Sequence, residues 1–94
     1  MTTAPISEQA CPRLAPGVRL TESAAHGGWV LLAPERVFKA DAIATEILRM
    51  CDGERSLQAI TDDLAARYSA PRERVAADVA ALLGQLAGQR LLEV

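Results

Sequence analysis

Aromatic side chains are almost absent: the 94 residues hold one Trp, one Tyr and one Phe, so any core has to be built from Leu, Val, Ile and Ala. Histidine occurs once and cysteine twice, at Cys11 and Cys51. That inventory cannot supply about four ligands in any zinc-binding spacing, and it demands no oxidising compartment. No apolar run is long enough to cross a bilayer, and residues 1–20 have no basic start followed by an apolar stretch. The net charge of −2 offers no electrostatic reason to expect nucleic acid or an anionic membrane. Gly27-Gly28 lacks the spacing of a phosphate-binding loop. His26 has no nucleophile or carboxylate placed beside it, and the neighbours Asp62 and Asp63 splay to different parts of a helix surface. The expectation is a non-enzyme without metal, nucleotide or other cofactor, located in the cytoplasm.

Half of the residues are hydrophobic, enough for one folded domain and too few for two cores. The pattern is organised around positions 29–53. Trp29 to Leu32 and Arg36 to Ala40 read as two strands joined at Pro34. Asp41 caps a helix whose apolar face carries Ile43, Ile47, Leu48 and Cys51, and Gly53 stops it. Upstream, Val18 to Thr21 alternates like a half-buried strand, and Glu22 to Gly28 reads as a turn. Downstream, Ser56 caps a second helix with Leu57, Ile60, Leu64 and Tyr68 at helical spacing, while Thr61 falls on another face. Pro71 opens a third helix striped by Val75, Val79, Leu82, Leu83 and Leu86 and ended by Gly88, with Leu91-Leu92 as a closing apolar clasp. Residues 1–16, with prolines at 5, 12 and 16, read as an extended tail; 17–94 is the domain. The fold class is α+β and winged-helix-like: a three-stranded antiparallel sheet followed by three helices.

That order makes winged-helix DNA binding the alternative function. Against it stand Asp62, Asp63, Glu73 and Asp78, which repel phosphate beside Gln58, Arg67, Arg72 and Arg74. The favoured reading is a peptide-binding module in which an extended chain adds to the free edge of the last strand. Arg36, Val37, Phe38 and Lys39 would form that edge. Arg72, Val75, Ala76 and Val79 share one helix face and would form the facing wall. An open edge also invites a second copy, so a homodimer held by the tail or by strand exchange is expected at high concentration.

Three stretches in order carry a family resemblance: Pro12-Arg13-Leu14-Ala15-Pro16-Gly17-Val18-Arg19-Leu20, Trp29-Val30-Leu31-Leu32-Ala33-Pro34-Glu35-Arg36-Val37, and Ala44-Thr45-Glu46-Ile47-Leu48-Arg49-Met50-Cys51-Asp52-Gly53. From about Pro12 to the end the sequence resembles PqqD, a family of pyrroloquinoline quinone (PQQ) biosynthesis. The resemblance implies a RiPP recognition element, a chaperone that binds a ribosomal precursor peptide (PqqA-like). It implies presentation to a radical S-adenosylmethionine (SAM) enzyme (PqqE-like) that joins a glutamate and a tyrosine of the peptide. It also implies that the peptide is an added strand beside Arg36–Ala40, against the third helix. Ala40 departs from the larger apolar residue expected there, leaving room below the sheet.

Overall fold

Asp41 is where sheet gives way to helix. Its side chain accepts the Ala44 N–H at 2.8 Å, which starts the first helix one residue after the last sheet strand. The computed structural model describes residues 7–94, so the first six residues of the expected tail lie outside the described residues. In chain order the elements are β1 (Arg13–Leu14), β2 (Arg19–Ser23), a 3-10 turn (Ala24–His26), β3 (Gly28–Ala33), β4 (Arg36–Ala40), α1 (Ala42–Arg49), α2 (Leu57–Arg67), α3 (Arg72–Gly88) and β5 (Leu92–Glu93). Strands β2, β3 and β4 form an antiparallel meander with β3 in the middle. The α+β, winged-helix-like order of sheet then three helices is therefore the one read from the sequence. The expected turn of Glu22 to Gly28 is tighter: β2 runs on to Ser23, and Gly27 leaves the 3-10 turn at φ 75°.

The helices bury one contiguous core under the sheet, including Leu31 of β3, Ile47 and Leu48 of α1, Ile60 of α2 and Leu83 of α3. Three residues depart from the expected faces. Thr61, assigned to an outer face, is 1 % exposed, whereas Ile43 and Tyr68, assigned to the apolar stripes, are 51 % and 50 % exposed. Leu57, Ile60, Thr61 and Leu64 stand at i, i+3, i+4 and i+7, so geometry buries the threonine despite its hydroxyl. Ile43 lies in the first turn of α1 and Tyr68 caps the end of α2, both beyond the reach of the covering elements.

The described part of the tail is extended but held to the domain. β1 pairs antiparallel with β5, setting Arg13 opposite Glu93 and Leu14 opposite Leu92. Ala15 N–H donates to the Leu91 carbonyl, and Pro12 is fully buried. Gly53 N–H donates to the Pro12 carbonyl at 3.0 Å. Gly53 favours glycine because its φ is +81°, a left-handed conformation that side chains rarely adopt.

The same segment completes the cap of α2. The carbonyls of Ala10 and Glu8 accept the N–H groups of Leu57 and Gln58, Ser56 Oγ accepts that of Ala59, and the Ser56 carbonyl accepts that of Ile60. All four N–H groups of the first turn are thus satisfied.

Candidate functional site

Among the described residues β4 is an edge strand, paired only with β3. A two-residue loop, Pro34-Glu35, closes its hairpin, and the register sets Ala33 opposite Arg36, Leu32 opposite Val37 and Leu31 opposite Phe38. In such a hairpin the pair flanking the loop is hydrogen-bonded, and bonded pairs then alternate with non-bonded ones. Arg36, Phe38 and Ala40 therefore spend their main-chain groups on β3, while those of Val37 and Lys39 face the free side. Side chains alternate as well: Phe38 packs against the core, whereas Val37, 47 % exposed, and Lys39 stand on the outer face of the sheet.

At the α1 end of β4 an apolar hollow of about 210 Å³ is lined by Ile43 and Ile47 of α1, Tyr68 at the end of α2, and Val75, Asp78 and Val79 of α3. The residues that escaped the core, Ile43 and Tyr68, are its rim, and Val79, 1 % exposed, belongs to both core and hollow. At the hairpin end the guanidinium of Arg36 donates to the main-chain carbonyl of Gln89, just past α3, at 2.6 Å. The hairpin end of β4 is thus tied to the end of α3, while Ile43, three residues past β4, shares the hollow with Val75 and Val79 of α3.

Of the eight residues read as a site, Val75 and Val79 come together in the hollow. Val37 and Lys39 offer the free main chain. Phe38 supports the strand from below, and Ala76 is half-buried outside the hollow. Arg36 and Arg72 do not meet: they stand near opposite ends of a helix about 25 Å long. Arg72 bonds to the carboxylates of Asp62 and, at 2.8 Å, Glu8. These hydrogen bonds, Asp62 first, push its pKa above the ordinary guanidinium value. Sequence reasoning missed Ile43, Ile47, Leu64, Tyr68, Ala70 and Asp78 as lining residues. Periodicity predicted that Ile43 and Tyr68 were apolar-face residues but carried no information on which turn would remain uncovered.

A second hollow of about 400 Å³ is lined by Trp29, Ala40, Thr45 and Arg49 among others, while Ala40 also packs against the core. The Arg49 guanidinium lies over the Trp29 ring, 4.7 Å from its centroid. Among the described residues no group of three or more His, Cys, Asp or Glu side chains is placed to hold a metal, and no helix is long and apolar enough to cross a membrane. His26 is exposed in the 3-10 turn, with Nδ1 3.0 Å from Ser23 Oγ.

An unpaired antiparallel edge strand, followed by a helix whose first turn at Ile43 rims an apolar hollow, suits a domain that accepts an extended chain as an extra strand. Comparison with known proteins narrows the class. The family model of coenzyme PQQ synthesis protein D (PqqD) matches residues 28–92, and the chain belongs to the PqqD family. It is 45 % identical to a PqqA binding protein of Bradyrhizobium diazoefficiens, over 93 % of this chain and 84 % of that one. The solution structure of the PqqD part of Methylobacterium extorquens PqqCD, described as a functional stand-alone RiPP recognition element, superposes with a TM-score of 0.82 at 38 % identity. That match covers 98 % of this chain and 97 % of the other. The crystal structure of PqqD from Xanthomonas campestris gives 0.61 at 43 % identity, covering 95 % and 99 %.

Proposed function

We propose that this chain is a non-catalytic peptide chaperone of PQQ biosynthesis that binds a PqqA-like precursor peptide by strand addition. The observation that carries the reading is the free edge of β4, with the main-chain groups of Val37 and Lys39 turned outward, leading into the helix whose Ile43 shares a hollow with Tyr68, Val75 and Val79. Main-chain pairing supplies affinity without regard to sequence, and the hollow selects an apolar side chain of the peptide. Relatives named PqqA binding protein support the choice of peptide.

On this reading the domain works in the cytoplasm without a cofactor of its own and presents the bound peptide to a PqqE-like radical SAM enzyme. A homodimer belongs to the same proposal: residues 8–15 are held within one chain by main-chain bonds and by the ion pairs Glu8–Arg72 and Arg13–Glu93, all of which can be exchanged between identical copies. The arginines favour peptide over DNA, since Arg67 and Arg72 are each already bonded to two carboxylates.

The test is an amide-shift titration of the labelled chain with synthetic precursor peptide. Shifts concentrated at residues 37–43 and 68–79 are expected. Shifts confined to the 3-10 turn around His26 would reject the edge-strand site.

A further inference from the structure

Arg36 reads in sequence as a peptide contact, yet its guanidinium is committed elsewhere. It donates to the carbonyl of Gln89, the residue that closes α3. Beyond Gln89 the chain turns through Arg90 at φ 62°, and the Leu91 and Arg90 N–H groups return to the carbonyls of Leu86 and Ala87 at 2.9 and 3.0 Å. This is a Schellman-type ending, and the last carbonyls of a helix carry the negative end of its dipole. A guanidinium is well matched to that position.

Arg36 also belongs to the pair that closes the β3–β4 hairpin, so one bond pins the hairpin end of the edge strand to the far end of α3. Among the described residues no other side-chain hydrogen bond or ion pair joins β4 to α3. We propose that Arg36 is a positioning residue that sets the spacing between β4 and α3 for an incoming strand, and that it does not itself bind the peptide. The inference rests on the proposed peptide-binding function and assigns the hairpin end of the groove to spacing instead of charge recognition. Affinity at that end then depends on main-chain pairing, and an acidic residue in the peptide is not required there.

The experiment compares the full chain with Arg36→Ala and Arg36→Lys. In the free proteins the ¹³C shift of the Gln89 carbonyl reports the tie, and thermal melts confirm folding. Titration then uses synthetic precursor peptide and a version with its acidic residues replaced by amides. Arg36→Ala is expected to move the Gln89 carbonyl and weaken both peptides alike by roughly five- to tenfold, the size of one net hydrogen bond. Arg36→Lys, which keeps a cationic donor, is expected to restore most of both effects. Wild-type affinity in Arg36→Ala overturns the proposal. So does a loss seen with the acidic peptide and absent with the amide version, because that pattern marks a direct contact. A wild-type chain that binds neither peptide defeats the proposed function itself, an outcome separate from the Gln89 shift read without peptide.

Discussion

The carbonyl of Ala10 accepts the N–H of Leu57 at 2.8 Å, joining a segment that looks like a tail to the first turn of a helix near the middle of the chain. Removing residues 1–11 would leave the N–H groups of Leu57 and Gln58 without their protein acceptors. Because water can partly replace those acceptors, the expected cost is about 1–3 kcal/mol. Urea unfolding of the truncated and full chains measures it. Equal midpoints would show that the strap adds nothing.

Val37→Pro removes an N–H that faces the free side of β4, so precursor-peptide binding is expected to fall while the melt stays near wild type. Phe38→Pro is the contrast, since the Phe38 N–H belongs to the ladder with Leu31; that variant is expected to lose stability first. Paired melts and titrations of the two variants check the assignment. A folded Val37→Pro that binds normally would reject ladder pairing at that position.

The rim of the hollow separates affinity from stability. Ile43→Ser and Tyr68→Ser alter side chains that are half exposed, and each is expected to weaken peptide binding several-fold while changing stability by about 1 kcal/mol or less. Val79→Ala, a buried position, is expected to lower stability as well, by about 1–2 kcal/mol. Calorimetric titration and denaturant melts of the three variants make the comparison.

Burial, aided by the neighbouring Asp52 charge, pushes the Cys51 thiol up to about 12 from 9.0. The unfolded chain therefore loses this proton at lower pH than the folded one does. The sign follows: the contribution is fully present below pH 9 and is lost as pH rises towards 12. Alkylation at neutral pH should modify the exposed Cys11 promptly and Cys51 only through unfolding, as mass spectrometry over time would report. Equal rates would place Cys51 at the surface.

The sheet and helices were legible because their signals are local. Asp41 and Ser56 announce helix starts by their own side chains, and both make the capping bond expected of them. The strap of residues 8–15 left no such mark, since its bonds to Leu57, Gln58 and Gly53 run through main-chain carbonyls that every residue possesses. Val37 and Val79 were legible as site candidates from strand and helix periodicity, and the hollow does include Val79. The bonds of Arg36 and Arg72 were not legible. Each joins residues far apart in sequence, and an arginine on an exposed face looks the same whether its guanidinium is free or committed.

The ladder of Arg13 with Glu93 and Leu14 with Leu92 brings the first and last strands of the domain side by side. A unit with adjoining ends behaves like a plug with both wires leaving from one socket. Termini that lie at the surface, with the first and last strands adjoining, suit a unit that is joined to other domains. The Methylobacterium relative is a PqqD part of a PqqCD chain that is functional standing alone.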